Sequence, residues 1–157
     1  MGVLIRRAAT LTMLAGLWLA SHAAELPSED GLRVAMRATL MDGSRFDIDD
    51  HHGKPVLVMI WATWCPTCLA ELPVLDRYYR ANGSGKVDFV ALGLDRDRDK
   101  IAAFLKETPL SFPVAWRAAP DEVDNLQRLV VTPVFYLVGK DGRIVWRKVG
   151  GIASLLK

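Results

Sequence analysis

Cysteine is scarce in this chain: its 157 residues include two, with three histidines. Two thiols cannot build the multi-bridge framework of a small secreted domain, and they fall short of the four ligands of a structural zinc site. Long apolar runs are missing too. The longest apolar stretch, Ala8 to Ala20, spans about 13 residues, against the ~20 of a comfortable membrane span. No cysteine follows that stretch, which excludes a lipid on a Cys there. Internal repeats and low-complexity tracts are absent. So is a charge excess beyond the first 24 residues. Those carry two arginines and no acid, so the chain's 20 Lys+Arg and 18 Asp+Glu become 18 and 18 in the remainder. A balanced domain gives no support to a nucleic-acid or anionic-lipid partner.

What is present begins with Arg6 and Arg7, the apolar stretch and the small residues Ser21-His22-Ala23. This order predicts export with a cut near Ala23 or Ala24. Retention as a membrane anchor is the alternative, in which case the protein is held at a membrane. Residues 1–24 are thus read as a signal peptide or anchor, and 25–157 as one domain. Outside the cytoplasm, in a periplasm for example, disulfides form and persist. A dithiol acting there as a reductant must be recharged by a partner.

The two cysteines lie in Trp64-Cys65-Pro66-Thr67-Cys68, after the apolar run Val56 to Trp61. That run reads as a strand buried on both faces, and Leu69 to Tyr79 has helical spacing. Cys65 is therefore expected at a helix start, where free N–H groups and the helix dipole favour a thiolate and draw its pKa below the ordinary ~8.5. Cys68, one turn further in, is placed to resolve the mixed disulfide formed by attack of Cys65. Two other uses stay open. A structural disulfide closing so short a loop would add little stability. A metal site would need more ligands, and His51 and His52 lie ahead of the strand, in a Gly-containing turn that reads as solvated.

Along the rest of the chain, Val34–Leu40 and Arg45–Ile48 flank Asp42-Gly43 as a hairpin. A helix is predicted from Pro66 to about Ala81, with Pro66 suited to its first turn and Pro73 expected to kink it. A strand follows at Val87–Leu94, then a helix at Asp99–Glu107. Asp95 to Lys100, alternating in charge, reads as a solvated loop and first turn. Phe112–Trp116 reads as a short strand, Asp121–Leu129 as a helix, and Pro133–Val138 and Arg143–Val149 as a hairpin about Asp141-Gly142. The sum is an α/β domain with a mixed sheet and helices on both faces.

With its strand, Trp-Cys-x-x-Cys, proline-bearing helix, βα unit and Thr132-Pro133 before a terminal hairpin, Val34 to Gly151 resembles the thioredoxin superfamily. Trp61 to Cys68 followed by Glu71-Leu72-Pro73 is similar to its exported TlpA-like branch, which includes reductases of cytochrome c biogenesis. The resemblance implies a thioredoxin-like mixed sheet flanked by helices, here with an N-terminal hairpin extension. It implies catalytic roles for Cys65, Cys68 and Glu71, and a substrate-facing set of Trp64, Pro66, Thr67, Thr132 and Pro133, with Pro133 in the cis form. Glu71, three residues past Cys68 on the same helix face, is expected to be partly buried, with a raised pKa, and to exchange a proton with that thiol. Thioredoxin's buried acid on the preceding strand corresponds here to Met59. Trp64 is expected to shield the sulfurs; Trp61, Phe89, Phe104 and Phe135 read as core. The final helix is reduced to Ile152–Lys157.

These readings predict an exported thiol–disulfide oxidoreductase that reduces disulfides of protein substrates and draws electrons from a membrane donor protein. Dithiol exchange needs no cofactor and no metal. An oxidant using the same residues is one rival, and a metal or copper carrier built on the two cysteines is another. A peroxidase is not expected, because no Pro-x-x-x-Thr-x-x-Cys leads to Cys65.

Overall fold

The computed structural model describes residues 30–82, 85–126 and 131–156. The expected signal segment lies outside the described residues. Within them the helices and strands follow in the order β1 (Met36–Thr39), β2 (Arg45–Asp47), β3 (Val56–Trp61), α1 (Pro66–Asn82), β4 (Asp88–Gly93), α2 (Arg98–Glu107), β5 (Val114–Trp116), β6 (Val123–Asp124), β7 (Val134–Val138) and β8 (Ile144–Val149). Single 3-10 turns occupy Ile48–His51 and Ala153–Leu155.

Five strands form the central sheet in the order β5-β4-β3-β7-β8. β3, β4 and β5 are parallel, whereas β7 runs antiparallel to β3, and β8 antiparallel to β7. β3 occupies the middle, and all six of its residues are buried. Its side chains alternate between two cores, as the pleat requires. Val58 and Ile60 join one cluster with Val90, Leu92, Val134 and Tyr136. Leu57, Met59 and Trp61 join the other with Cys68, Leu72 and Leu75 of α1 and Ile101 of α2.

Among the described residues both helices cover the second cluster. The first is closed by a small antiparallel sheet, β2-β1-β6, through Met36, Ala38 and Phe46. The hairpin expected about Asp42-Gly43 is therefore present, and it does the covering predicted for a helix on that face. The helix expected over Asp121–Leu129 is not formed from 121 to 126; 127–130 lie outside the described residues. Competing bonds explain the difference. The Asp124 carboxylate accepts from Arg117 at 2.6 and 2.8 Å and from Leu126 N–H at 2.9 Å. Asn125 bridges Ala35 N–H and Arg33 C=O. Short polar side chains that bond backbone in this way draw it out of a helix.

α1 continues through Pro73. α2 begins at the Asp97 cap, whose side chain accepts from Asp99 N–H, and packs closely on β4. A Cβ on Gly93 would collide with Ile101 Cδ1, so glycine suits that close crossing. No described helix is long and apolar enough to cross a membrane.

Candidate active site

The dithiol sits where β3 ends and α1 begins. Leu94 N–H donates to Trp61 C=O at 2.8 Å, and Cys65 N–H closes a turn onto Ala62 C=O at 3.2 Å. Leu69 N–H then donates to Cys65 C=O at 3.1 Å, the first bond of the helix. Cys65 is thus the N-cap and Pro66 the first helical residue, as the sequence predicts. The Cys68 N–H donates to Cys65 Sγ at 3.1 Å, so the sulfur occupies the place of a capping oxygen. Negative charge on Sγ would meet that N–H and the positive end of the α1 dipole.

Cys65 and Cys68 are joined as a disulfide with Cα atoms 5.2 Å apart. Cys68 is fully buried and Cys65 5 % exposed, which preserves the expected ranking. Trp64 stands largely in solvent, 63 % exposed, while Pro66 and Thr67 are exposed on the first turn beside the cysteines. Trp61, Phe89 and Phe135 are core as expected, and the partly buried Phe104 packs against Trp61 with ring centroids 5.3 Å apart.

Thr132 and Pro133 come to the same end of the sheet through β7. Val134 pairs with Ile60, so the two preceding residues lie beyond the last β3 pair, level with the loop that leads to Cys65. The Thr132–Pro133 bond is cis. Gly150 N–H donates to Pro133 C=O at 2.9 Å and ties this loop to the end of β8.

Glu71 is a buried acid, not a surface one. Its Oε2 accepts the N–H groups of both Ile152 and Ala153 at 2.9 Å. Thus the carboxylate anchors the chain after β8 to α1, a bond pattern that sequence spacing did not reveal. The anchoring explains Gly151, where a Cβ would collide with Glu71 Oε1. Ile152 follows into the core, and the short terminal turn is held by this contact and not by a helix.

Two sequence readings need correction. Asp95 is not a solvated loop residue but only 1 % exposed. Its Oδ2 accepts Thr63 N–H at 3.0 Å and its Oδ1 accepts the Thr63 hydroxyl at 2.5 Å. Register could have found it. Trp61 pairs with Gly93, so Thr63 and Asp95 leave the two parallel strands in step. His51 likewise is not a solvated turn residue. It stacks on Phe46, and its Nδ1 lies 2.6 Å from Asp88 Oδ2. His52 contacts Arg33 and Asp49. Both histidines precede β3, at the end of the strand away from the cysteines. Among the described residues no group of three or more His, Cys, Asp or Glu is arranged to hold a metal.

Known proteins resemble this arrangement. The thiol-disulfide oxidoreductase ResA of Bacillus cereus is 29% identical over 118 residues, covering 71% of this chain and 64% of that protein. The chain thus spans somewhat under two thirds of the length of the ResA relatives it matches. Sporulation thiol-disulfide oxidoreductase A of Bacillus subtilis (strain 168) is 25% identical over 147 residues, covering 90% of this chain and 88% of that one. The crystal structure of StoA from Bacillus subtilis superposes with a TM-score of 0.66 at 25% identity, over 78% of this chain and 93% of that one. A thiol:disulfide interchange protein of the thioredoxin family from Chlorobium tepidum TLS shares the fold, with a TM-score of 0.64 at 20% identity over 82% of this chain and 90% of that one. The fold is therefore thioredoxin-like. The Redoxin family model matches residues 28–154, nearly the whole described chain, and the chain belongs to the Redoxin family.

Proposed function

We propose that this protein is an exported thiol–disulfide oxidoreductase that reduces disulfides in protein substrates. The observation that carries the reading is the Cys68 N–H bond to Cys65 Sγ at a helix start. It favours a thiolate on the outer sulfur, while Cys68 lies wholly buried behind it.

In the reduced enzyme, Cys65 Sγ⁻ attacks one sulfur of the substrate disulfide. The second substrate sulfur leaves as a thiolate and takes up a proton, giving a mixed disulfide. Cys68 then loses its proton and attacks Cys65 Sγ, so the Cys65–Cys68 bond forms and the substrate departs with both sulfurs reduced. Two electrons have moved from enzyme to substrate. A dithiol donor, on this reading a membrane protein, must return them. Glu71 is proposed to serve the Cys68 proton step from the same helix. Trp64, Pro66, Thr67, Thr132 and Pro133 are proposed to receive the extended substrate. The reductant direction, the link to cytochrome c maturation and the periplasmic location rest on the sequence resemblance and on the segment Arg6 to Ala24.

Two measurements test this. Cys65→Ser is expected to abolish disulfide reduction, and Cys68→Ser to accumulate mixed disulfides visible on non-reducing gels. Cys65→Ser that still reduces substrate would end the assignment. A reduction potential near or below about −230 mV supports a reductant, whereas one near about −120 mV would make the protein an oxidant.

A further inference from the structure

We propose that Asp95 is a positioning residue for the dithiol, acting through Thr63 to set the turn that presents Trp64 and Cys65. The inference rests on Cys65 being the attacking thiol.

Four observations support this. Asp95 is 1 % exposed, so its carboxylate would be costly to bury without partners. Both of its oxygens are spent on one residue, accepting the Thr63 N–H and hydroxyl. Thr63 is the second residue of the turn that Cys65 N–H closes onto Ala62 C=O at 3.2 Å. The Asp95 main chain is held from the other side, where Trp116 Nε1–H donates to its C=O at 2.7 Å. A two-pronged clamp on a buried carboxylate therefore grips the turn, with its base fixed between β4 and β5.

The consequence falls on the sulfur. Cys65 Sγ is placed to accept the Cys68 N–H at 3.1 Å only while the turn delivers the Cys65 main chain to the head of α1. A slackened turn lengthens that bond and weakens it more for the thiolate than for the thiol, because the N–H stabilises the charged form. The Cys65 ionisation midpoint should then rise and its attack should slow. Direct electrostatics has the opposite sign: removing a negative charge near a thiolate lowers the midpoint. The two mechanisms can therefore be separated.

The test uses the whole protein, reduced and then alkylated with iodoacetamide across pH, with attack on neutral 4,4′-dithiodipyridine measured in parallel. Thr63→Val removes the hydroxyl donor without changing charge. It should raise the alkylation midpoint by about half a pH unit and slow attack by about tenfold. Asp95→Asn, which loses an acceptor, should move both quantities the same way, and the double variant should be no worse than the stronger single one. Thr63→Ser keeps the donor and should restore the parent profile. Urea midpoints of the oxidised proteins check that each variant folds.

A lowered midpoint in Asp95→Asn with Thr63→Val unmoved would make Asp95 a charge acting on the sulfur, and would overturn the positioning role. Unmoved midpoints in both, or fully additive effects, would overturn it as well. Mass mapping of the label separates the two claims. Label on Cys68 in the parent sinks the assignment of Cys65, whereas label on Cys65 with unmoved midpoints sinks this one.

Discussion

The buried acids of this protein draw on two kinds of partner, neutral donors and cations, and Asp76 of α1 takes one of each, Ser111 N–H at 2.6 Å and Arg80 Nε at 2.7 Å. Around Cys65 and Cys68, Asp95 and Glu71 take their bonds from Thr63, Ile152 and Ala153, with no cation bonded to either among the described residues. In the 117–126 segment, Asp124 is instead gripped by the Arg117 guanidinium, whose side chain is 3 % exposed against 1 % for Asp124. At the far end of β3 and β4, Asp88 is shared between His51 and Lys54. Main-chain N–H donors locate backbone, so a carboxylate bonded to them fixes loop geometry. An ion pair neutralises charge and ties two segments together.

The largest effect should come from breaking the ion pair. Arg117 also donates to Leu126 C=O at 3.0 Å, so Arg117→Leu takes that donor from the carbonyl and leaves buried Asp124 without its cation, held by Leu126 N–H. The expected loss is about 3–5 kcal/mol in urea unfolding, with disulfide reduction per folded molecule unchanged. The acid response should change with it. Burial pushes the Asp124 carboxyl up, but its bonds with Arg117 outweigh this and hold it below its ordinary 3.8. A lowered folded value means that the pair's contribution is complete above the ordinary value and is lost as pH falls through the lower one. Arg117→Leu should flatten that acid limb. A variant as stable as the parent would erase the contrast drawn here.

Next is the Glu71 anchor. Gly151→Ala places a Cβ against the carboxylate and should cost about 1–3 kcal/mol by overpacking. Glu71→Gln keeps an oxygen for Ile152 and Ala153, so it should fold with a loss of about 1 kcal/mol while turnover slows and its pH profile shifts. Equal stability losses with no change in turnover would reduce Glu71 to an anchor alone.

The smallest effect belongs to the far end. His51→Ala removes a partly exposed partner and leaves Lys54 on Asp88 at 2.9 Å, so it should cost about 1 kcal/mol or less and leave thiol chemistry untouched. A changed thiol alkylation rate in this variant would show that the two ends of the strands communicate.

Much of this was legible in the chain. The run Val56 to Trp61 announced the central strand by being apolar on both faces, and Cys-Pro-x-Cys announced a helix start through the missing N–H of Pro66. The TlpA-like resemblance also implied the position of Glu71. The acids at Asp95 and Asp124 were not legible. A carboxylate among alternating charges looks solvated, and Asp121–Leu129 has helical apolar spacing. Their true partners lie 32 and 7 residues away, respectively.

By itself, the sequence determined the elements whose cause is local: strand runs, capping residues, the Asp-Gly turns and the spacing of the thiols. Those signals are carried within a few residues, where propensity and periodicity operate. Only the tertiary structure decided that a three-stranded sheet would cover one face, that Glu71 would bind the chain after β8, and that Asp95 would clamp Thr63. Each of these depends on which strands become neighbours and in what register. Burial then makes any unpartnered polar atom costly, so the partners are chosen by whatever the fold brings within bonding distance.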